Sequence, residues 1–303
     1  MASPDPGRTR HYGEFYDVVP APADDDRPVL FVLGNCQAEA LRILLDDPGA
    51  PYRPVRIPPV HELEQADVAH LHRLAARAAV IVAQPVRDDY RSLPVGTEQV
   101  LAQQALGARH VIFPVIRWAA LYPYQAIVRA DGVGDPPGVP YHDLRTLLLA
   151  AGRSARRAAG AEPIRQLAEA SLAELRAREA RHGSIAVSDL LRPAGAAAAH
   201  TINHPGNPVL TELAQRVAAV LGWQPGTLDP GRELLRSVYT PLEPHVLAAL
   251  GLDDQARADW RVQDRPVADE TIAAQQLDWY AVHPEVVAAG LTRHAETLRM
   301  LDL

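Results

Sequence analysis

The chain has 303 residues, enough for one large domain or two modest ones, and its 48% hydrophobic and 22% charged content excludes wholesale disorder. A net charge of −7 argues against a general nucleic-acid binder. Every basic residue is Arg and none is Lys, which excludes Schiff-base catalysis, and a single cysteine, Cys36, excludes an intramolecular disulfide and a Cys-rich zinc site.

Residues 1–27 are rich in Pro, Asp and Gly and read as a flexible or loosely docked N-terminal arm. Around Asp5, Arg8, Arg10 and His11 there is no apolar core of a secretory signal, and the longest apolar runs are too short to span a bilayer, so a cytoplasmic location is expected. From Val29 the pattern alternates. Val29 to Leu33 is a run of β-formers suited to a strand buried on both faces. Gly34-Asn35-Cys36 makes a turn, and Ala38 to Leu45 follows as a helix with Leu41, Leu44 and Leu45 on one side. Arg53 to Ile57, Ala79 to Ala83 and His110 to Pro114 are further predicted strands, separated by helices over Glu62–Ala78 and Thr97–Leu106. This order predicts an α/β fold: a small parallel sheet flanked by helices, a three-layer core over 28–160.

The second half, 161–303, is expected to be mainly helical and to complete the site. Helices are predicted over Pro140–Ala159, Pro163–His182, Ile185–Leu191, Val209–Leu221, Glu243–Leu250 and Thr271–Met300.

Cys36 sits at a strand-to-helix turn, where ligands collect at the carboxyl ends of parallel strands. The helix N-terminus offers unpaired N–H groups and partial positive charge, which favour a thiolate and can hold an oxyanion. Gly34 is expected to allow the tight turn and Asn35 to tolerate unusual backbone angles there. On position alone Cys36 reads equally as a small buried apolar residue.

Gly34-Asn35-Cys36-Gln37 after the first strand resembles the signature of the WcbI-type polysaccharide-biosynthesis family of acetyltransferase-like proteins. The segments Val82-Ala83-Gln84-Pro85 with Tyr90-Arg91 and Gly96-Thr97, Phe113-Pro114 with Tyr122-Pro123, and Val187-Ser188-Asp189 are similar to later blocks. Thr201-Ile202-Asn203-His204-Pro205 resembles the family's Asn-His-Pro block, and Val238 to Leu242 a closing block. The likeness runs from Val29 to about Leu252. It implies a coenzyme A-binding protein with a site resembling that of thiol proteases and an SGNH/Rossmann-like core. The chain differs from the family in Arg117-Trp118-Ala119-Ala120, where an aromatic-glycine pattern is expected, and this leaves acceptor specificity open.

A thiol acyltransferase needs a proton acceptor, and histidine suits that role near neutral pH. His204 is the first candidate of the twelve histidines, and His200 the reserve, sharing a face with it if both lie on one helical turn. Asn203, or Asp189 or Glu39 with a charge, are candidates to orient the imidazole. Gln84 and Gln37 are candidate oxyanion donors, Gln84 reading equally well as a structural hydrogen bond at a strand end. Gly34, Asn35 and Gln37 are expected to line the donor site, with Arg87, Arg91, Arg117 and Arg145 as candidates for its phosphates, although most arginines are simply solvated. Trp118 and Tyr122 read more readily as core residues than as an adenine platform. His70 and His72, two apart on a helix, face different ways, and no metal site is expected.

The expected activity is transfer of an acyl group, acetyl first, from a thioester of coenzyme A or of an acyl carrier protein. The acceptor would be a hydroxyl or amine of a saccharide or other small molecule such as a natural product. The alternatives are a cysteine esterase or thioesterase, in which water replaces the acceptor, and a non-catalytic coenzyme A-binding protein. Acceptor identity and oligomeric state are not legible in the sequence.

Overall fold

The structure is a computed structural model that describes residues 6–154, 158–226 and 228–303. The chain forms two compact units. The first comprises Met1–Val115, Arg176–Val187 and Asn207–Leu234, and the second Ile116–Leu175, Ser188–Gly206 and Leu235–Leu303.

In the first unit the elements are α1 (Pro6–His11), β1 (Val29–Leu33), α2 (Cys36–Leu45), β2 (Arg53–Val55), α3 (Val68–Arg77), β3 (Val80–Ala83), α4 (Thr97–Leu101) and β4 (Arg109–Ile112). The four strands form one parallel sheet in the order β2-β1-β3-β4, with Phe31 beside Val55 and Ile81, and Ile81 beside His110. The α/β expectation therefore holds. Strand alternation sends Phe31, Leu33, Ile81 and Ala83 into a core with Leu71, Leu74 and Ala75 of α3 and with Phe15 and Tyr16. On the β1 side α2 packs against both the strand and a helix from later in the chain, Asn207–Val220.

The predicted helix over Glu62–Ala78 is shorter than its pattern: two single-turn 3₁₀ segments, Val60–Glu62 and Gln65–Asp67, precede α3. Of the N-terminal arm, residues 1–5 lie outside the described residues. The rest is fastened: Arg8 pairs with Asp67 at 2.9 Å, Glu14 with Arg53 at 2.6 Å, and Phe15 is 1% exposed. The Tyr16 hydroxyl donates to Asp67 at 2.8 Å.

In the second unit, β5 (Gln125–Ala126) and β6 (His142–Asp143) pair antiparallel, and α5 (Leu144–Ala150) follows. The helix predicted over Pro140–Ala159 is thus replaced at its start by a strand, and its residues 155–157 lie outside the described ones. Asp143 explains the late start: its carboxylate caps α5, accepting from the backbone N–H of Arg145 and Thr146. Then come α6 (Ala161–His182), α7 (Ser188–Leu191), and β7 (Ala199–Thr201) paired with β8 (His204–Pro205). The helix Asn207–Val220, which belongs to the first unit, is α8. The remainder is β9 (Val238–Tyr239), α9 (Pro244–Leu250), β10 (Trp260–Val262), β11 (Arg265–Val267), α10 (Asp269–Val282), α11 (Pro284–Arg293) and α12 (Ala295–Met300).

The mainly helical expectation for this half holds, with two additions among the described residues, the β7–β8 pair and a three-stranded sheet. The latter, antiparallel in the order β11-β10-β9, was not legible because each strand has only two or three residues. The single helix predicted from Thr271 to Met300 is three helices. Pro284 starts a new one, since a proline ring cannot continue the hydrogen-bond ladder of the helix before it. No helix among the described residues is long and apolar enough to cross a membrane.

Candidate functional site

In the first unit Cys36 is the first residue of α2, at the carboxyl end of β1. Asn35 caps the helix, its Oδ1 accepting from the Gln37 N–H at 2.9 Å with extended backbone angles (φ −84°, ψ −160°). Its contribution is therefore a cap and not tolerance of a left-handed turn. Gly34 is needed for space: a Cβ there would stand 2.4 Å from Gln84 Oε1.

Gln84, at the end of β3 and 1% exposed, braces this turn. Its Oε1 accepts from the Asn35 N–H at 2.9 Å, while its Nε2 donates to Gln37 Oε1 at 3.0 Å and reaches the Pro114 carbonyl at 3.4 Å. Gln37 is fully buried. Cys36 itself is half-buried.

Burial pushes the Cys36 thiol up to about 11, while the N–H groups of Cys36 and Gln37 pull it down by less. The helix N-terminus was expected to favour the thiolate. Here desolvation outweighs it, so the resting sulfur is a neutral thiol at neutral pH. Glu39, in the same helical turn, is held in ion pairs with Arg42 at 2.8 Å and Arg56 at 2.9 Å.

In the second unit His204 lies on the β7–β8 hairpin, opposite Thr201. His200 and His204 are therefore on paired strands and not on one helical turn. The hairpin is held from several directions. Ile202 N–H donates to Gln125 Oε1 at 2.6 Å, and Ile202 carbonyl accepts from the Trp118 N–H at 2.8 Å. The Tyr122 hydroxyl donates to the Ala199 carbonyl at 2.7 Å. After the hairpin the chain passes so close to Ala197 that a Cβ at Gly206 would stand 2.1 Å from that carbonyl oxygen. Trp118 and Tyr122 are both buried, as core residues are.

His204 is half-buried, and desolvation, helped by the positive potential of His200, lowers it to about 4. It is a neutral imidazole at pH 7. Its Nδ1 is buried without a hydrogen-bond partner among the described residues. Its Nε2 lies 3.5 Å from the Tyr141 hydroxyl, which donates to Asn203 Oδ1 at 2.9 Å. Asn203 is thus connected to the imidazole through Tyr141, a residue the sequence reading did not single out. His200 packs its ring 4.4 Å from that of Tyr239.

Of the four candidate arginines, Arg87 and Arg91 belong to the first unit and Arg117 and Arg145 to the second. Arg87, Arg91 and Arg117 are exposed, and Arg91 reaches the His61 carbonyl. Arg145 is committed: it pairs with Asp143 at 2.8 Å and Glu243 at 2.9 Å and covers the Tyr124 ring at 3.8 Å. Asp189, on α7, is exposed.

A parallel four-stranded sheet flanked by helices, with a cysteine at the turn from its first strand into a helix, defines an α/β protein. The family model described as the polysaccharide biosynthesis enzyme WcbI matches residues 29–226, and the chain belongs to that family. The chain is also similar to a solved structure described as native WcbI, a novel polysaccharide biosynthesis enzyme, without a disulfide bond between coenzyme A and one of its cysteines. That likeness has a TM-score of 0.76 at 19% identity and covers 91% of this chain and 97% of the other, which shows a shared fold. Comparison with curated proteins finds no significant match.

Proposed function

We propose that this chain is an acyltransferase that moves an acyl group, acetyl first, from a coenzyme A or carrier-protein thioester to a hydroxyl or amine of a saccharide or related small molecule. The observation that carries the reading is the half-buried Cys36 at the N-terminus of α2, in a member of a polysaccharide-biosynthesis family. The coenzyme A named for the solved WcbI structure supports the choice of donor.

His204 is the proposed base. Burial keeps both groups neutral at rest, the Cys36 thiol pushed up and the His204 imidazole pushed down. Proton transfer is therefore concerted with attack. The sulfur bonds to the acyl carbon as its proton passes to His204, and the donor's thiol leaves with that proton. The acceptor hydroxyl then attacks the acyl-cysteine, gives its proton to His204, and the Cys36 thiol is restored with it.

The Cys36 N–H at the start of α2 serves the oxyanion, the Asn35 and Gln37 N–H groups being held by Gln84 and Asn35. Gln84, whose Nε2 already has Gln37 and Pro114 as acceptors, holds the turn that aims it. The exposed Arg87 and Arg91, in the unit that carries Cys36, suit the donor's phosphates, whereas Arg145 is neutralised by two carboxylates.

Incubation with acetyl-coenzyme A, read by intact mass, tests the reading. A Cys36-dependent acyl adduct that discharges to an acceptor, and is absent from Cys36→Ala, is expected. Neither an adduct nor a thermal shift with coenzyme A would overturn it, and undiminished turnover in His204→Ala would remove His204 from the mechanism.

A further inference from the structure

Tyr141 brings its hydroxyl to the edge of the His204 ring from 63 positions away in the chain. Its body is fixed. The ring stacks on Trp260 (centroids 6.5 Å apart, planes at 19°) in a cluster with Val139, Val238 and Ile272. Its carbonyl accepts from the buried Gln276 carboxamide at 2.7 Å, and its ring meets that of His204 edge-on at 86°.

A phenol has one hydrogen to give. The Tyr141 hydroxyl gives it to Asn203 Oδ1, an oxygen that can only accept, at 2.9 Å. Thr201 Oγ1 closes the triangle, 3.0 Å from the Tyr141 oxygen and 3.1 Å from Asn203 Oδ1. With its hydrogen used, the Tyr141 oxygen can only accept from His204. At 3.5 Å the contact is long, as site hydrogen bonds often are before substrate is bound. The opposite edge of the ring agrees. Nδ1 is buried without a partner among the described residues, and an orphaned acceptor is tolerated more readily than an orphaned N–H.

We infer that Tyr141 is a positioning residue which, with Asn203 and Thr201, fixes His204 in the tautomer with hydrogen on Nε2, so that Nδ1 is the nitrogen that takes and returns the proton. The inference rests on the assignment of His204 as base under the proposed function, but its central statement, the tautomer, is measured without turnover.

The test is ¹⁵N-histidine NMR of the full chain, with His204 assigned by difference from His204→Gln. A protonated Nε2 and an unprotonated Nδ1 are expected near neutral pH. In Tyr141→Phe, which keeps the stacked ring, the two tautomers mix and kcat falls about tenfold while donor KM changes less than twofold. Tyr141→Ala serves as the packing control and is expected to lose stability as well. Hydrogen on Nδ1 in the native protein, or a Tyr141→Phe variant with unchanged tautomer and kcat, overturns the inference. The expected tautomer together with undiminished turnover in His204→Ala would leave the positioning intact and overturn the acyltransferase base instead.

Discussion

A side chain at Gly34 would have to stand where Gln84 Oε1 now lies, 2.4 Å from the Cβ position. That oxygen is the acceptor for the Asn35 N–H at 2.9 Å, so the space beside Gly34 and the orientation of the Cys36 turn are one arrangement.

Gly34→Ala is accordingly expected to displace the Gln84 carboxamide from a site where it is 1% exposed. A loss of about 1–3 kcal/mol in stability is expected from overpacking. Acyl transfer should fall further than stability explains, because the same shift re-aims the Cys36 N–H at the start of α2. Denaturant melts and turnover at a temperature where the variant is fully folded check both parts. A stable variant with native turnover would show that Gln84 can move without consequence.

Asn35 caps α2 through Oδ1 and the Gln37 N–H. Asn35→Ala should cost about 1 kcal/mol, and Asn35→Asp, which keeps an accepting oxygen and adds favourable charge at the helix start, should cost less. Chemical denaturation of the two variants side by side is the measurement. An equal loss in both would contradict the cap.

The neutral Cys36 thiol has a kinetic signature. An ordinary thiol approaches its full alkylation rate near pH 9, whereas one held up to about 11 keeps accelerating beyond it. The iodoacetamide rate at Cys36, followed by intact mass, should therefore still rise between about pH 9 and pH 10 and be slow at pH 7. A plateau below pH 8 would mean that the helix N-terminus outweighs desolvation after all.

Two histidines of the second unit make the fold acid-sensitive. His142, 2% exposed with Nδ1 2.6 Å from the Tyr280 hydroxyl, is pushed down to about 4 by burial, as is His204. Between the ordinary value of 6.5 and about 4 the unfolded chain takes up protons that the folded chain refuses. Stability from this source is thus complete above pH 6.5 and declines as pH falls toward 4, by up to about 3 kcal/mol for each group. Thermal melts across that range should slope downward with acid, and less steeply in His142→Gln. A flat profile would show that neither ring is refused its proton.

Much of the first unit was legible because its signals are local. Val29 to Leu33 and Val80 to Ala83 are unbroken runs of β-formers, as strands buried on both faces must be, and Pro and Gly mark their ends. Cys36 could be placed at a strand-to-helix turn from its neighbours alone. The second unit was less legible. Strands of two or three residues, such as β5, β6 and β9, carry no periodicity, and they form only because a distant partner supplies the ladder. The two candidate histidines could not be given the right backbone for the same reason: their strands, β7 and β8, have three and two residues and form only by pairing Ala199 with Pro205 and Thr201 with His204.

The sequence by itself therefore determined the α/β class, the turn carrying Cys36 and the membership of His204 in an Asn-His-Pro segment, since each is written in contiguous residues. Only the tertiary structure decided the protonation of the sulfur and the company of the imidazole. Desolvation depends on what the rest of the chain packs around a group, and it overrides the helix N-terminus at Cys36. Tyr141 reaches His204 across 63 positions because Trp260 and Gln276, further along still, hold it there.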